Sequence, residues 1–251
     1  MKIRLDTLLP KLNLARSRSE ARDLIDRGHV YVNSVQVKKA SKEYEETIDP
    51  ALIEIKVEQY VGRGAYKLEE ALQKFNISAQ GRNALDIGSS TGGFTEVLLK
   101  HGAETVHAVD VGKDQLAQAL RKDPRVISLE ETDIRELPSI VPKASLVVID
   151  VSFISLGYIF PHLSRFTARD GAQPVDVIAL IKPQFEVSKG KLNKSGIVKG
   201  EADAKATIAT VASSAAESGF QLVQTTESPI EGGSGNREFL GHFKMTVQPR
   251  A

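Results

Sequence analysis

Leu85-Asp86-Ile87-Gly88-Ser89-Ser90-Thr91-Gly92-Gly93-Phe94-Thr95 decides the fold of this 251-residue chain. Ala84 to Ile87 reads as a buried strand, and Phe94, Val97, Leu98 and Leu99 carry the spacing of an amphipathic helix. A glycine-rich turn between a strand and a helix places a nucleotide-like ligand against the helix N-terminus, where free N–H groups and partial positive charge lie. The glycines let the backbone approach that ligand closely. The spacing Gly88-x-x-x-Gly92-Gly93 is neither the dinucleotide fingerprint nor the phosphate loop. Asp86 closes the strand with a carboxylate, which disfavours a pyrophosphate and suits a positively charged ligand. S-adenosylmethionine, with its sulfonium and amino group, is such a ligand. The expected cofactor contacts are therefore Asp86, Gly88, Ser89, Ser90, Thr91, Gly92, Gly93 and Phe94.

Outward from this stretch, helix and strand alternate from Gly64 onward. Helices are predicted over Ala65–Phe75, Thr95–His101, Gln115–Arg121, Leu156–Phe166 and Ala202–Ser218. Strands are predicted near Ala84–Ile87, Thr105–Val109, Val126–Leu129, Ala144–Ile149, Val175–Ile181, Gln221–Glu227 and Glu238–Val247. Leu146 to Ile149 and Val177 to Ile181 are unbroken apolar runs, as a parallel sheet covered on both faces requires. The alternation implies an α/β doubly wound sheet, with ligands at the C-terminal strand ends.

Charged side chains fall at those ends. Asp110, followed by Val111, lies about 22 residues beyond the glycine loop, where an acid reaches a ribose diol. Asp133, followed by Ile134, succeeds the third strand within reach of an adenine amino group. Asp150 ends the fourth strand and Lys182 the fifth. A lysine following a five-residue apolar strand is no accident of composition, because burying its charge unpaired is costly. Each acid alone reads equally well as a cap or turn residue; their joint placement does not.

The first 60 residues read as a separate small α+β module. Leu5, Leu8, Leu9 and Leu12 have helical spacing, and a second helix runs from Ser17 or Ser19 to Arg27, stopped by Gly28. Val30 to Val37 reads as a tight hairpin turning at Asn33-Ser34, and Ala51 to Val57 as one more strand. The linker is placed around Glu58 to Gly62, giving domains 1–59 and 64–251 joined by 60–63. Residues 1–42 carry ten Lys/Arg against four acids, a net +6 in a chain of net +1 overall. That asymmetry points to nucleic acid, with a plain solvated basic face as the alternative. The expected nucleic-acid contacts in the module are Arg4, Lys11, Arg16, Arg18, Arg22, Arg27, Lys38 and Lys39. In the large domain they are Arg63, the basic loop with Lys189, Lys191 and Lys194, and Arg237.

Bulk composition excludes other classes. There is no cysteine, hence no disulfide framework or thiolate chemistry, and the five histidines show no metal spacing. Mean hydropathy is −0.18, no apolar run approaches the roughly 20 residues of a membrane span, and Met1 to Asp6 lacks a signal-peptide core. A cytoplasmic protein without metal or membrane attachment is expected.

Together these residues resemble a family. Residues from Gly64 resemble a class I, Rossmann-like methyltransferase of the FtsJ-like 2′-O-ribose type, which implies a mostly parallel seven-stranded sheet with an antiparallel last strand. Arg4-Leu5-Asp6, the Ser17–Arg27 helix and Gly28-His29-Val30-Tyr31-Val32-Asn33 resemble an S4-like RNA-binding domain. The combination resembles the hemolysin-A/TlyA family of rRNA methyltransferases over nearly the whole chain. The resemblance implies a Lys-Asp-Lys-Glu tetrad at Lys67, Asp150, Lys182 and Glu238, S-adenosylmethionine as cofactor, and cytidine 2′-O-methylation in 16S rRNA, 23S rRNA or both, within ribosomal subunits or free. Ser34 departs from the glycine many such hairpins carry.

An ordinary lysine, with pKa about 10.4, holds its proton at neutral pH; desolvation or a nearby cation lowers that value. The resemblance and the physics both favour Lys182 as general base, with Lys67 the other amine open to that role, and Asp150 and Glu238 orienting. Three rivals stand beside this reading: an RNA-binding protein without catalysis, a small-molecule O-methyltransferase, and a membrane-active hemolysin. An intact loop and tetrad oppose the first, and the basic module opposes the second. The third lacks any cationic amphipathic or sufficiently apolar segment.

Overall fold

A computed structural model of the chain describes residues 1–56, 60–168, 174–232 and 235–246. Backbone contacts divide it into two compact units, Met1–Gln59 and Tyr60–Ala251.

In the first unit the order is β1 (Lys2–Arg4), α1 (Leu5–Lys11), α2 (Arg18–Asp26), β2 (Val30–Val32), β3 (Val35–Gln36), β4 (Glu43–Glu45) and β5 (Ile53–Ile55). Leu5, Leu8 and Leu9 of α1 and Ala21, Leu24 and Ile25 of α2 are buried, as helical periodicity demands. Ser17 Oγ accepts from the Glu20 amide and caps α2, while Gly28, at φ +78°, lets the chain turn away. Strand β2 pairs antiparallel with both β3 and β5. Asn33 and Ser34 both take positive φ (51° and 62°), so the hairpin closes without glycine. Strands β1 and β4, too short for a sequence signal, form a second antiparallel pair. The strand expected over 51–57 begins only at Ile53. Asp49 Oδ1 accepts from Ala51 N and winds Pro50–Leu52 into a 3₁₀ turn instead. Val57, and Glu58 of the expected linker, lie outside the described residues.

The second unit opens with α3 (Ala65–Phe75). It continues through β6 (Asn83–Ile87), α4 (Gly93–Lys100), β7 (Thr105–Val109), α5 (Gln118–Arg121), β8 (Val126–Leu129) and β9 (Leu146–Ile149). Then come α6 (Phe160–Leu163), β10 (Asp176–Ile181), α7 (Pro183–Glu186), α8 (Glu201–Glu217), β11 (Phe220–Glu227) and β12 (Phe239–Met245). Seven strands form one sheet in the order β11-β12-β10-β9-β6-β7-β8. Strands β10, β9, β6, β7 and β8 are parallel, whereas β12 runs antiparallel to both neighbours. The doubly wound sheet with its antiparallel last strand is thus present. Every residue of β9 and β10 is buried, and Phe160 packs against Phe220 and Phe243 beneath them.

Two helices are shorter than their periodicity suggested. Leu156–Phe166 splits into a 3₁₀ turn (Leu156–Tyr158) and α6, because Pro161 lacks the N–H that a continuous helix needs. Gln115–Arg121 contracts to α5, since Glu130 Oε1 accepts from the amides of Gln115 and Leu116 and takes them out of the helix. The last strand ends at Met245; Val247 lies outside the described residues.

Candidate active site

The glycine loop is stapled to the end of β7. Gly88 N and Ser89 N both donate to Val109 O, and Gly92 N donates to Ser89 O. Gly88, Ser90 and Gly92 hold positive φ (84°, 45° and 96°). A Cβ on Gly88 would stand 2.4 Å from the carbonyl oxygen of Asp150, so glycine is what lets β6 and β9 end side by side. Asp110 accepts from Ser90 N through Oδ2 (2.8 Å) and from Gly112 N through Oδ1 (2.7 Å). It therefore anchors the loop as well as facing the cleft, and its carboxylate retains further lone pairs.

Asp86 is fully buried. Its Oδ2 accepts from Thr95 Oγ1 at 2.7 Å, while Oδ1, like Ser89 Oγ, has no hydrogen-bond partner among the described residues. Burial, reinforced by the neighbouring carboxylates of Asp150 and Asp110, pushes the Asp86 carboxyl up to about 7. Three acids thus lie near the C-terminal ends of the adjacent strands β7, β6 and β9, with the unpartnered Asp86 Oδ1 and Ser89 Oγ beside a glycine cradle. That donor set fits a cationic nucleoside-like cofactor.

A cleft of about 1070 Å³ runs from Gly88 and Ser90 past Asp110 and Asp133 to Phe153 and Phe185. Val111 and Ile134 line it with apolar surface. Asp133 chelates the Arg135 guanidinium, which holds its carboxyl below the usual carboxylate range. A smaller pocket of about 130 Å³ joins Arg63, Thr91, Gly93, Phe94 and Asp150.

The four tetrad candidates form two ion pairs. Lys67 Nζ donates to Glu238 Oε2 at 2.6 Å, with both side chains at most 10 % exposed. Lys182 Nζ lies 2.6 Å from Asp150 Oδ1 and donates to Ser152 Oγ at 2.9 Å. Strand ends place Asp150 and Lys182, the first turn of α3 places Lys67, and Glu238 immediately precedes β12. Gly64, one turn before Lys67, is so close to Asp150 that a Cβ there would lie 3.5 Å from its Oδ2. Asp150 lines both the cleft and the smaller pocket, Gly64 lines the smaller one, and Lys67 follows one turn along α3.

Sequence reasoning missed several supports of this arrangement. Ser152 was visible only as a small polar residue two places after Asp150. Glu186 accepts from Ser155 Oγ and Leu156 N, tying the loop after Lys182 to the loop after Asp150. Asn236, buried at 2 %, accepts from Val198 N and donates to Gly196 O, so the basic loop of 189–198 is bonded to the segment carrying Glu238. In that loop Lys191 pairs with Asp203, while Lys189 and Lys194 are exposed. Arg237 is spent on Glu227 and Glu201, a poorer RNA contact than its position suggested. Gly233 and Ser234 of the neighbouring loop lie outside the described residues. In the first unit Arg16 pairs with Glu20 and Lys11 with Glu46, whereas Lys38 and Lys39 are exposed.

Residues 60–245 match the family described as FtsJ-like methyltransferase, and residues 3–47 the S4 domain. The chain belongs to the FtsJ-like methyltransferase family. Within it, this methyltransferase groups with the TlyA/hemolysin A proteins. It is 42 % identical over 239 residues to the Mycobacterium tuberculosis protein named 16S/23S rRNA (cytidine-2′-O)-methyltransferase TlyA, covering 94 % of this chain and 88 % of that one. With Hemolysin A of Brachyspira hyodysenteriae it shares 39 % identity, over 96 % and 99 % of the two chains. A solved structure from Streptococcus thermophilus that carries a hemolysin name superposes with a TM-score of 0.73 at 38 % identity, over 99 % of this chain and 90 % of that one. No helix among the described residues of the FtsJ-like chain is long and apolar enough to cross a membrane.

Proposed function

We propose that the chain is an S-adenosylmethionine-dependent rRNA ribose-2′-O-methyltransferase, acting on a cytidine of 16S or 23S rRNA. The observation that carries this reading is the pair of lysine–carboxylate contacts, Lys67–Glu238 and Lys182–Asp150, with Asp150 lining the cleft that starts at the glycine loop. The names of the TlyA relatives support the substrate. In this reading Asp86, the Gly88–Phe94 loop and Asp110 hold the cofactor, and Val111, Asp133 and Ile134 flank its base. The bound cofactor supplies an electrophilic methyl group on a sulfonium.

The chain's own task is to align a ribose 2′-hydroxyl and remove its proton. In this reading Lys182 Nζ is the general base that takes the hydroxyl proton. Asp150 and the Ser152 hydroxyl, at 2.6 and 2.9 Å, fix where that nitrogen points. Lys67, held by Glu238 at 2.6 Å, helps to orient the hydroxyl. Exposed lysines of residues 1–42 and of the 189–194 loop hold the phosphate backbone.

Transfer of tritiated methyl from S-adenosylmethionine to purified 30S, 50S and naked rRNA tests the proposal. Wild type labels one or more of these, and Lys182→Ala loses at least about a hundredfold in rate, the scale of general-base catalysis, with cofactor binding retained. Wild-type turnover by that variant removes Lys182 from the base role. Cofactor binding without label on any RNA points to an RNA-binding protein without catalysis.

A further inference from the structure

Asp6 is completely buried, yet it is a carboxylate, and an uncompensated buried charge is expensive. Three arginines answer it. Arg4 donates to both of its oxygens, Nε to Oδ1 at 3.0 Å and Nη2 to Oδ2 at 2.8 Å. Arg18 Nε lies 3.3 Å and Arg22 Nη2 3.7 Å from the same Oδ2. Arg18 and Arg22 stand one turn apart on α2, and Arg4 comes from the end of β1. All three side chains remain 40–56 % exposed. The carboxylate thus sits inside and the guanidinium groups outside; with Glu43 opposite Arg4 counted as well, the local net charge is +1. A guanidinium has five N–H donors; Asp6 accepts two from Arg4 and lies within ion-pair distance of one nitrogen each of Arg18 and Arg22, so further donors remain on these partly exposed side chains.

We propose that Asp6 is a positioning residue that gathers Arg4, Arg18 and Arg22 into a single site for one backbone phosphate of RNA. The inference rests on the reading that the first unit binds rRNA, and it goes further by locating one phosphate and naming what organises it. Unassisted arginines on a surface sample many rotamers, and ordering each on binding lowers affinity. Here Asp6 holds Arg4 through two hydrogen bonds and draws Arg18 and Arg22 toward the same oxygen. Phosphate is also the anion that matches paired guanidinium forks in geometry.

A charge-matched comparison separates this from general electrostatics. Asp6→Asn and Asp26→Asn each make the same unit more positive by one charge; Asp6 is buried and Asp26 is exposed. Bulk electrostatics alone has both variants bind RNA more tightly. The positioning role has Asp6→Asn weaken binding of the full chain to deproteinised 16S and 23S rRNA by about tenfold, a loss of the size expected for one good arginine contact, while Asp26→Asn binds no more weakly than wild type. The slope of log affinity against log salt also falls by about one for Asp6→Asn, although no cation has been removed. Equal tightening by both variants overturns the proposal.

Should Asp6→Asn fail the circular-dichroism melt, Arg18→Gln, Arg22→Gln and their double variant decide instead. Two arginines on one phosphate lose less together than the product of their separate losses, and a multiplicative loss overturns the shared site. If Lys38→Gln weakens rRNA binding while the arginine variants do not, the module binds RNA and the Asp6 site falls. If wild type does not bind rRNA, both fall.

Discussion

Asp86 shows how much one side chain carries. Its carboxyl, raised by burial from 3.8 to about 7, prefers the protonated form in the folded state. That preference stabilises the fold fully below pH 4 and fades as pH rises through 7, a change on the order of a few kcal/mol. Asp86→Asn keeps an acceptor for Thr95 and removes the titration. Wild type therefore loses more melting temperature than the variant between about pH 5 and 8. Parallel melting curves would rule out a raised carboxyl. Asp86 was legible as a strand-closing acid. Its bond to Thr95, nine residues on, was not, because a hydroxyl in a helix carries no periodic signal of its contact. Ser152 and Asp6 escaped for the same reason: the chemistry of each is set by partners elsewhere in the chain.

At the scale of elements, the glycine loop ties β6, β7 and β9 together. Gly88→Ala puts a Cβ into the Asp150 carbonyl at a backbone angle that L side chains rarely adopt. The variant is expected to melt several degrees lower, a loss of about 1–3 kcal/mol, and to weaken cofactor binding and activity together, since the same carbonyl belongs to Asp150, which lines the cleft. An unchanged melt with full activity contradicts the close approach of β6 and β9. Long periodic elements such as α3 and the β7 strand were readable to the residue. The 156–166 helix and the start of α5 were not. There Pro161 and the Glu130 carboxylate override an apolar pattern that is otherwise helical.

For the whole molecule, charge is segregated: net +6 on residues 1–42 against +1 overall. Binding of the full chain to rRNA is expected to weaken at least tenfold between about 50 and 200 mM salt, because phosphate contacts release counterions. S-adenosylmethionine binding, in a cleft ringed by its own fixed acids, changes far less over that range. Titrations of both ligands across the same salt series check this, and equal salt dependence would argue against an RNA-binding role for the basic segment.

Local periodicity and turn chemistry dictated the alternating elements, the glycine loop, the basic module and the strand-end placement of Asp86, Asp110, Asp150 and Lys182. These depend on residues within a few positions of one another, where spacing and burial are coupled directly. Tertiary structure alone decided who meets whom. Lys67 finds Glu238 across 171 residues because strand order brings β12 beside β10 and α3 to the same edge. Asp110 turned out to brace the loop, Arg237 to serve two carboxylates, and Asp6 to collect three arginines. Each of those outcomes is a contest among partners distant in the chain, and only the folded arrangement sets the distances that settle it.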